Sequence, residues 1–136
     1  MCKSGKCRGH GPDDECPFCD AARKREITAE NELALATPDN FPVSRGHTLI
    51  VPKRHVADYF DLTALEKAAI DELLDVCHKK LLADDGTIDG FNVGVNCGEV
   101  AGQGVFHCHV HMIPRRRGDA PDPRGGIRCV VPGETS

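Results

Sequence analysis

The stretch GQGVFHCHVHMIPRRR, residues 102–117, sets His107, His109 and His111 on alternate positions, with Phe106, Cys108, Val110 and Met112 interleaved. A period of two over residues 105–113 predicts a strand with one buried and one polar face. Three imidazoles then stand in a row on the polar face. Imidazole is a base, a nucleophile and a metal ligand near neutral pH. Three of the chain's seven histidines within five residues point to chemistry. The row could be a solvated face, a His-x-His metal site or a nucleophilic ring oriented by its neighbours. The surroundings favour the third reading. The preceding loop GEVAGQG, residues 98–104, can bring backbone N–H groups and Gln103 toward the histidines, and Arg115, Arg116 and Arg117 follow directly. These are parts for holding an anion.

The rest of the chain supplies a small scaffold for that strand. DAARKRE, residues 20–26, permits one or two helical turns, and residues 32–36 alternate weakly as a strand. Residues 37–46, with two prolines and an Asp-Asn pair, read as a loop. HTLIVP, residues 47–52, is a β-branched run that predicts a buried strand. A helix begins near Asp61, where Thr63 and Glu66 fit a capping box. Leu65, Ile70, Leu73, Leu74, Cys77 and Leu81 then recur at helical spacing until the DDG of residues 84–86. FNVGV, residues 91–95, and IRCVV, residues 127–131, are further strand candidates. The expected fold class is α+β: an antiparallel sheet, one long helix and a short N-terminal helix.

At 136 residues the chain is long enough for one domain with a sizeable core. A net charge of −4 provides no broad cationic field, so a small anionic ligand is expected and a long nucleic acid is not. No apolar run reaches membrane-spanning length or forms a signal-peptide core. A cytoplasmic location is the expectation, and it implies reduced thiols. Of eight cysteines, four fall in the first nineteen residues, among glycine, proline and charge. Cys16-Pro-Phe-Cys19 has zinc-knuckle spacing and needs two more ligands. Cys7 and His10 could complete a local site. Otherwise they and Cys2 have no role in a flexible segment over residues 1–15.

GQGVFHCHVHMIPR resembles the signature of the histidine triad (HIT) family, His-φ-His-φ-His-φ-φ with φ apolar, preceded by a Gly-Gln pair. RGHTLIVPKRH (45–55), NCGEVAGQ (96–103) and CPFC (16–19) extend the resemblance over residues 16–117, with residues 118–136 as a tail packed on that domain. The resemblance implies a hydrolase acting at the α-phosphate of a nucleotide, with dinucleoside polyphosphates and nucleoside phosphoramidates as substrates. His109 would be the nucleophile and carry the nucleotidyl group; His111 and Gln103 would stabilise phosphate charge. Asp39 would bind ribose hydroxyls, and Asn96, Gly102, Val105 and Arg115 would contact the ligand. A structural zinc would sit on Cys16, Cys19, His55 and His107, leaving the reaction itself metal-independent. A homodimer is also implied. Histidine at 111, where nucleotide-transferring members carry glutamine, points to the hydrolase branch. His47 is read as a buried, locally bonded ring outside the chemistry, and Phe41 as a candidate base contact.

Overall fold

The computed structural model describes residues 16–19 and 25–131. The flexible segment expected at residues 1–15, the rival ligands Cys7 and His10, and most of the expected N-terminal helix lie outside the described residues. Five strands form one antiparallel sheet: β1 (Ala29–Glu30), β2 (Ala34–Pro38), β3 (Thr48–Pro52), β4 (Gly90–Val95) and β5 (Val110–Arg115), in the order β1-β2-β3-β5-β4. One long helix, α1 (Ala64–Asp84), joins β3 to β4. The architecture is the expected α+β.

Side-chain alternation divides the sheet into two faces. Ala34, Ala36, Ile50, Val110 and Met112 face α1 and pack with its Ile70, Leu73 and Cys77. Leu35, Leu49 and Val51 face the other way, where Cys16, Phe18 and Phe106 cover them. His111 pairs with Leu49 across β3 and β5, so the histidine site lies on this second face, away from the helix.

α1 starts where the sequence indicates. Thr63 Oγ1 accepts the Glu66 N–H at 3.0 Å, and Glu66 Oε1 accepts the Thr63 N–H at 2.8 Å, which closes the capping box. The expected apolar stripe needs one correction. Leu65 is 73% exposed, and the buried residue of that turn is Glu66. Its carboxylate is tolerated there because Arg54 grips both oxygens, each at 2.8 Å.

Three other boundaries differ from the sequence expectation. β2 runs on through Thr37 and Pro38, so the loop begins at Asp39. Residues 126–130 form a 3-10 turn, not a strand, because two consecutive glycines at positive φ, Gly125 and Gly126, break extension. The strand expected at 105–113 begins only at Val110 and ends at Arg115. Pro52 accounts for its late start. Lys53 N–H bonds to Leu33 on the β2 side, so Pro52 turns its backbone toward β5, and it has no N–H to give. Its carbonyl accepts the His107 ring instead, Nε2 lying 2.8 Å away. Residues 105–109 therefore leave the ladder. At the other end, β3 pairs no further than Met112, so Pro114 disrupts no bond on that side.

The Arg54 guanidinium, with the capping-box donors, pulls the Glu66 carboxyl from its ordinary 4.5 down to about 2. A folded-state value below the unfolded one contributes stability that is complete above about pH 4.5 and is lost as pH falls toward 2. Glu66→Gln keeps a capping acceptor but loses the charge. It should cost about 1–2 kcal/mol at pH 7 and flatten the acid limb in that window, read by urea unfolding across pH.

Candidate functional site

Two clusters meet at residues 107–111. In the first, Cys16, Cys19, His55 and His107 bring one donor atom each to within 4.8 Å of all the others. Cys16 Sγ lies 3.5 Å from His107 Nδ1 and 3.7 Å from His55 Nδ1. Cys19 Sγ lies 3.5 Å from His107 Nδ1 and 2.9 Å from His55 Nδ1, and the two Nδ1 atoms are 3.2 Å apart. Zinc bound tetrahedrally by thiolates and imidazoles holds its donors about 3.3–3.8 Å apart, so the cluster has the size and donor chemistry for that ion. The tautomer fits as well. His107 donates Nε2–H to Pro52 O, which leaves its Nδ1 lone pair facing the thiols. Burial lowers the His107 pKa to about 4 and keeps the ring neutral.

The second cluster holds the other two triad histidines and one more. His109 Nδ1 lies 2.8 Å from the His107 carbonyl, so Nδ1 carries the proton and donates, and Nε2 keeps a free lone pair. Burial lowers the His109 pKa, chiefly by desolvation, and the ring is a neutral base. His111 lies next to it, ring centroids 5.2 Å apart.

The further histidine is His47, buried at the start of β3. The Val43 N–H donates to His47 Nδ1 at 3.1 Å, which places the His47 proton on Nε2. That Nε2–H lies 2.9 Å from His111 Nδ1 and 3.3 Å from Asp39 Oδ2. His111 therefore accepts at Nδ1 and has its own proton on Nε2, ready to donate. Burial, then the neighbouring His109 and His47, lowers the His111 pKa to about 4. Asp39, His47 and His111 could be read as a metal trio. The proton that the Val43 bond fixes on His47 Nε2 occupies the atom that would have to ligate. The His-x-His metal reading also loses its geometry, because the His107 Nδ1 and His109 Nε2 lone pairs serve different clusters.

Asp39 does two jobs. Its Oδ1 accepts the Phe41 N–H at 2.8 Å, as a turn residue does, while Oδ2 faces His47. Asn96 borders the groove beside His111, and Gly102, at φ 98°, sits against its side-chain amide. Val105 packs on the Cys16–Phe18 cluster.

Two of the expected site residues have their polar groups engaged within the protein. Gln103 is 2% exposed, and its amide is committed to the backbone. Oε1 accepts the Gly98 N–H at 2.8 Å, and Nε2 donates to Ala57 O at 2.8 Å and Val105 O at 3.1 Å. These three bonds tie the 98–105 loop to the backbone at Ala57. Arg115 is four residues along β5 from His111, about 13 Å at strand rise. Its guanidinium is held by Asp119 and by Asn92. Arg116 is spent on Asp85 and Arg45 O, so these two arginines brace the surface. Phe41 is 87% exposed at the loop tip. The aromatic that reaches His109 is Phe18, ring centroid 5.1 Å away, with the Arg25 guanidinium over it at 5.1 Å. The sequence carried a cue for Phe18 in its place between the two knuckle cysteines. Nothing in the sequence linked Arg25 to the site.

Residues 21–118 match the HIT domain description. The chain belongs to the HIT domain family. An adenylylsulfatase of Arabidopsis thaliana is 32% identical over 118 residues, which cover 85% of this chain and 59% of that enzyme. An AP-4-A phosphorylase of Mycobacterium tuberculosis is 38% identical over 97 residues, 69% of this chain and 48% of that enzyme. A crystal structure of a zinc-bound histidine triad family protein from Mycobacterium smegmatis superposes with a TM-score of 0.70 at 32% identity. It covers 79% of this chain and 84% of that one. The triad of this chain combines one buried histidine, His107, with two half-buried ones, His109 and His111.

Gln103→Leu would strand the Gly98 N–H and two carbonyls in a buried loop. The expected loss is about 1–3 kcal/mol of stability, seen as a lower denaturant midpoint; a variant as stable as the parent would contradict the bonding described.

Proposed function

We propose that this HIT protein hydrolyses nucleotide derivatives at the α-phosphate through a nucleotidyl-His109 intermediate. The observation that carries the reading is the Nδ1–H bond from His109 to the His107 carbonyl. It fixes the ring, selects the tautomer and leaves Nε2 as a neutral nucleophile in a partly buried site.

In the first half-reaction the Nε2 lone pair bonds to phosphorus. The bond from phosphorus to the leaving atom breaks, and that atom departs with the electron pair and takes up a proton. In the second half, a water oxygen bonds to phosphorus, the P–Nε2 bond breaks and its pair returns to His109. One water is consumed, and its two protons replace the one on the leaving group and one released to solvent. His111, whose Nε2–H is set by His47, donates to a phosphoryl oxygen as charge develops. Asp39 accepts the ribose hydroxyls, and Asn96 with the backbone at Gly102 and Val105 lines the approach.

The same reading places zinc on Cys16, Cys19, His55 and His107, one per chain, tying the knuckle to the segment that holds the nucleophile. Its role is structural. The Mycobacterium smegmatis relative supports it by its bound zinc, and the donor spacing supports it independently. A cytoplasmic homodimer completes the proposal. Of the two edge strands, β4 with six residues is better suited to the interface than the two-residue β1.

Mixtures with an adenosine 5′-phosphoramidate, quenched by alkaline denaturation to preserve the acid-labile P–N bond, should yield a His109-containing peptide heavier by one nucleoside monophosphate less water, absent in His109→Asn. An unmodified peptide, together with undiminished turnover in that variant, would end the mechanism. Stripping zinc with a strong chelator should lower Tm by roughly 10 °C, followed by calorimetry, while turnover well below the new midpoint persists.

A further inference from the structure

The ladder between β4 and β5 runs from the pair Gly90 and Arg115 to its last pair, Val95 and Val110. Carried two residues further, the same register sets Cys97 opposite Cys108. Directly opposed residues of an antiparallel pair have Cα atoms about 4.5–5.5 Å apart and side chains on one face. Alternation sends both thiols to the α1 side. Cys108 belongs to that core with Val110 and Met112, and Val95, two residues before Cys97, packs on it. Their nearness also shows in the electrostatics: after burial, Cys97 contributes most to raising the Cys108 thiol pKa. Both are free thiols.

The two differ in access. Cys97 is half-buried and borders the groove beside His111, whereas Cys108 is 0% exposed. A dissolved oxidant therefore reaches the first thiol and not the second. A disulfide needs Cα atoms about 4.4–6.8 Å apart, and an opposed pair lies within that range.

We infer that Cys97 and Cys108 are a redox pair: a hydroperoxide oxidises Cys97, Cys108 closes a disulfide onto it, and the bond displaces the segment that holds His109. With hydrogen peroxide, one peroxide oxygen first transfers to Cys97 Sγ. The O–O bond breaks, an S–O bond forms and one water leaves. The Cys108 sulfur then bonds to Cys97 Sγ, the S–O bond breaks, and the departing hydroxide takes the Cys108 proton as a second water. Two thiols have lost two electrons, and one peroxide has accepted them.

The place of the bond gives it its effect. Cys108 stands between His107 and His109, and its N–H donates to Val56 O at 2.6 Å. Cys97 stands between Asn96 and Gly98, whose N–H donates to Gln103 Oε1. Neither cysteine lies within the ladder, so closing the bond draws two segments together against those anchors. The His107 carbonyl, which accepts the His109 Nδ1–H, is shifted with its neighbour.

The test treats the zinc-loaded full chain with hydrogen peroxide, alkylates the remaining thiols and maps the peptides without reduction. The expected product is a peptide linked through Cys97 and Cys108, with Cys16 and Cys19 unlinked. Turnover of adenosine 5′-phosphoramidate should fall about ten-fold or more in step with that product and return on adding a thiol reductant. Cys97→Ser should keep the parent turnover and resist the same dose, while Cys129→Ser should respond as the parent does. A map linking Cys97 to Cys129, a Cys97 that stops at the sulfinic acid, or closure of Cys16 and Cys19 alone would overturn the pair. A linked pair with unchanged turnover would overturn its hold on His109. The linkage is read without substrate, so a chain that hydrolyses no nucleotide loses the hydrolase reading separately. Displacement is then read from the His109 ring signals by NMR, and signals unmoved by oxidation would overturn it.

Discussion

The carbonyl of His107 accepts the Nδ1–H of His109 at 2.8 Å, while the ring of the same His107 is held from both sides. Its Nε2–H goes to the Pro52 carbonyl and its Nδ1 faces the thiols of Cys16 and Cys19. One residue thus anchors the His109 ring with its backbone and the Cys-His donor cluster with its side chain. The orientation of His109 is only as good as the placement of that carbonyl. The carbonyl is placed by a buried ring bonded on the sides of both nitrogens. This is why the donor cluster and the His109 ring sit two residues apart without competing for a lone pair.

Phe18 ties the two more closely. It lies between Cys16 and Cys19, its ring rests on His109, and Arg25 covers it while donating to Thr37 Oγ1 and Pro38 O, next to Asp39. The Cys16–Cys19 turn, the His109 ring and the strand end that presents Asp39 are therefore one packed unit. Desolvation by this packing keeps His109 and His111 neutral, the form in which a ring can attack or donate.

Much of this was legible in the sequence because it depends on local rules. The capping box at Thr63 and Glu66, the β-branched run of β3 and the interleaved histidines each encode their structure within a few residues. The four cluster residues converge as the resemblance implied. What the sequence did not reveal is long-range. His47 reads in the sequence as a locally bonded ring, and it does accept the Val43 N–H, yet its other nitrogen meets a partner 64 residues away. Gln103 sits in an anion-binding kind of loop, and only the fold shows its amide consumed by Gly98, Ala57 and Val105. The arginine run after Pro114 looked like phosphate-binding charge until Asp119 and Asp85, brought in by turns and by the end of α1, claimed it. Side-chain periodicity separated the faces of residues 108–112, but Phe106 packs with Leu35, Leu49 and Val51 on the opposite side from Cys108 and Val110, and the pattern could not show that pairing stops at Val110.

That early stop follows from one missing hydrogen. Proline at position 52 gives the neighbouring segment an acceptor but no donor, so the zipper of paired strands cannot advance past it. A residue with an amide proton there would invite the zipper to close further, pulling residue 108 into line. The ring of His107 would then lose its seat, and the His109 ring its support. Here the working part of the molecule exists because a sheet was prevented from finishing.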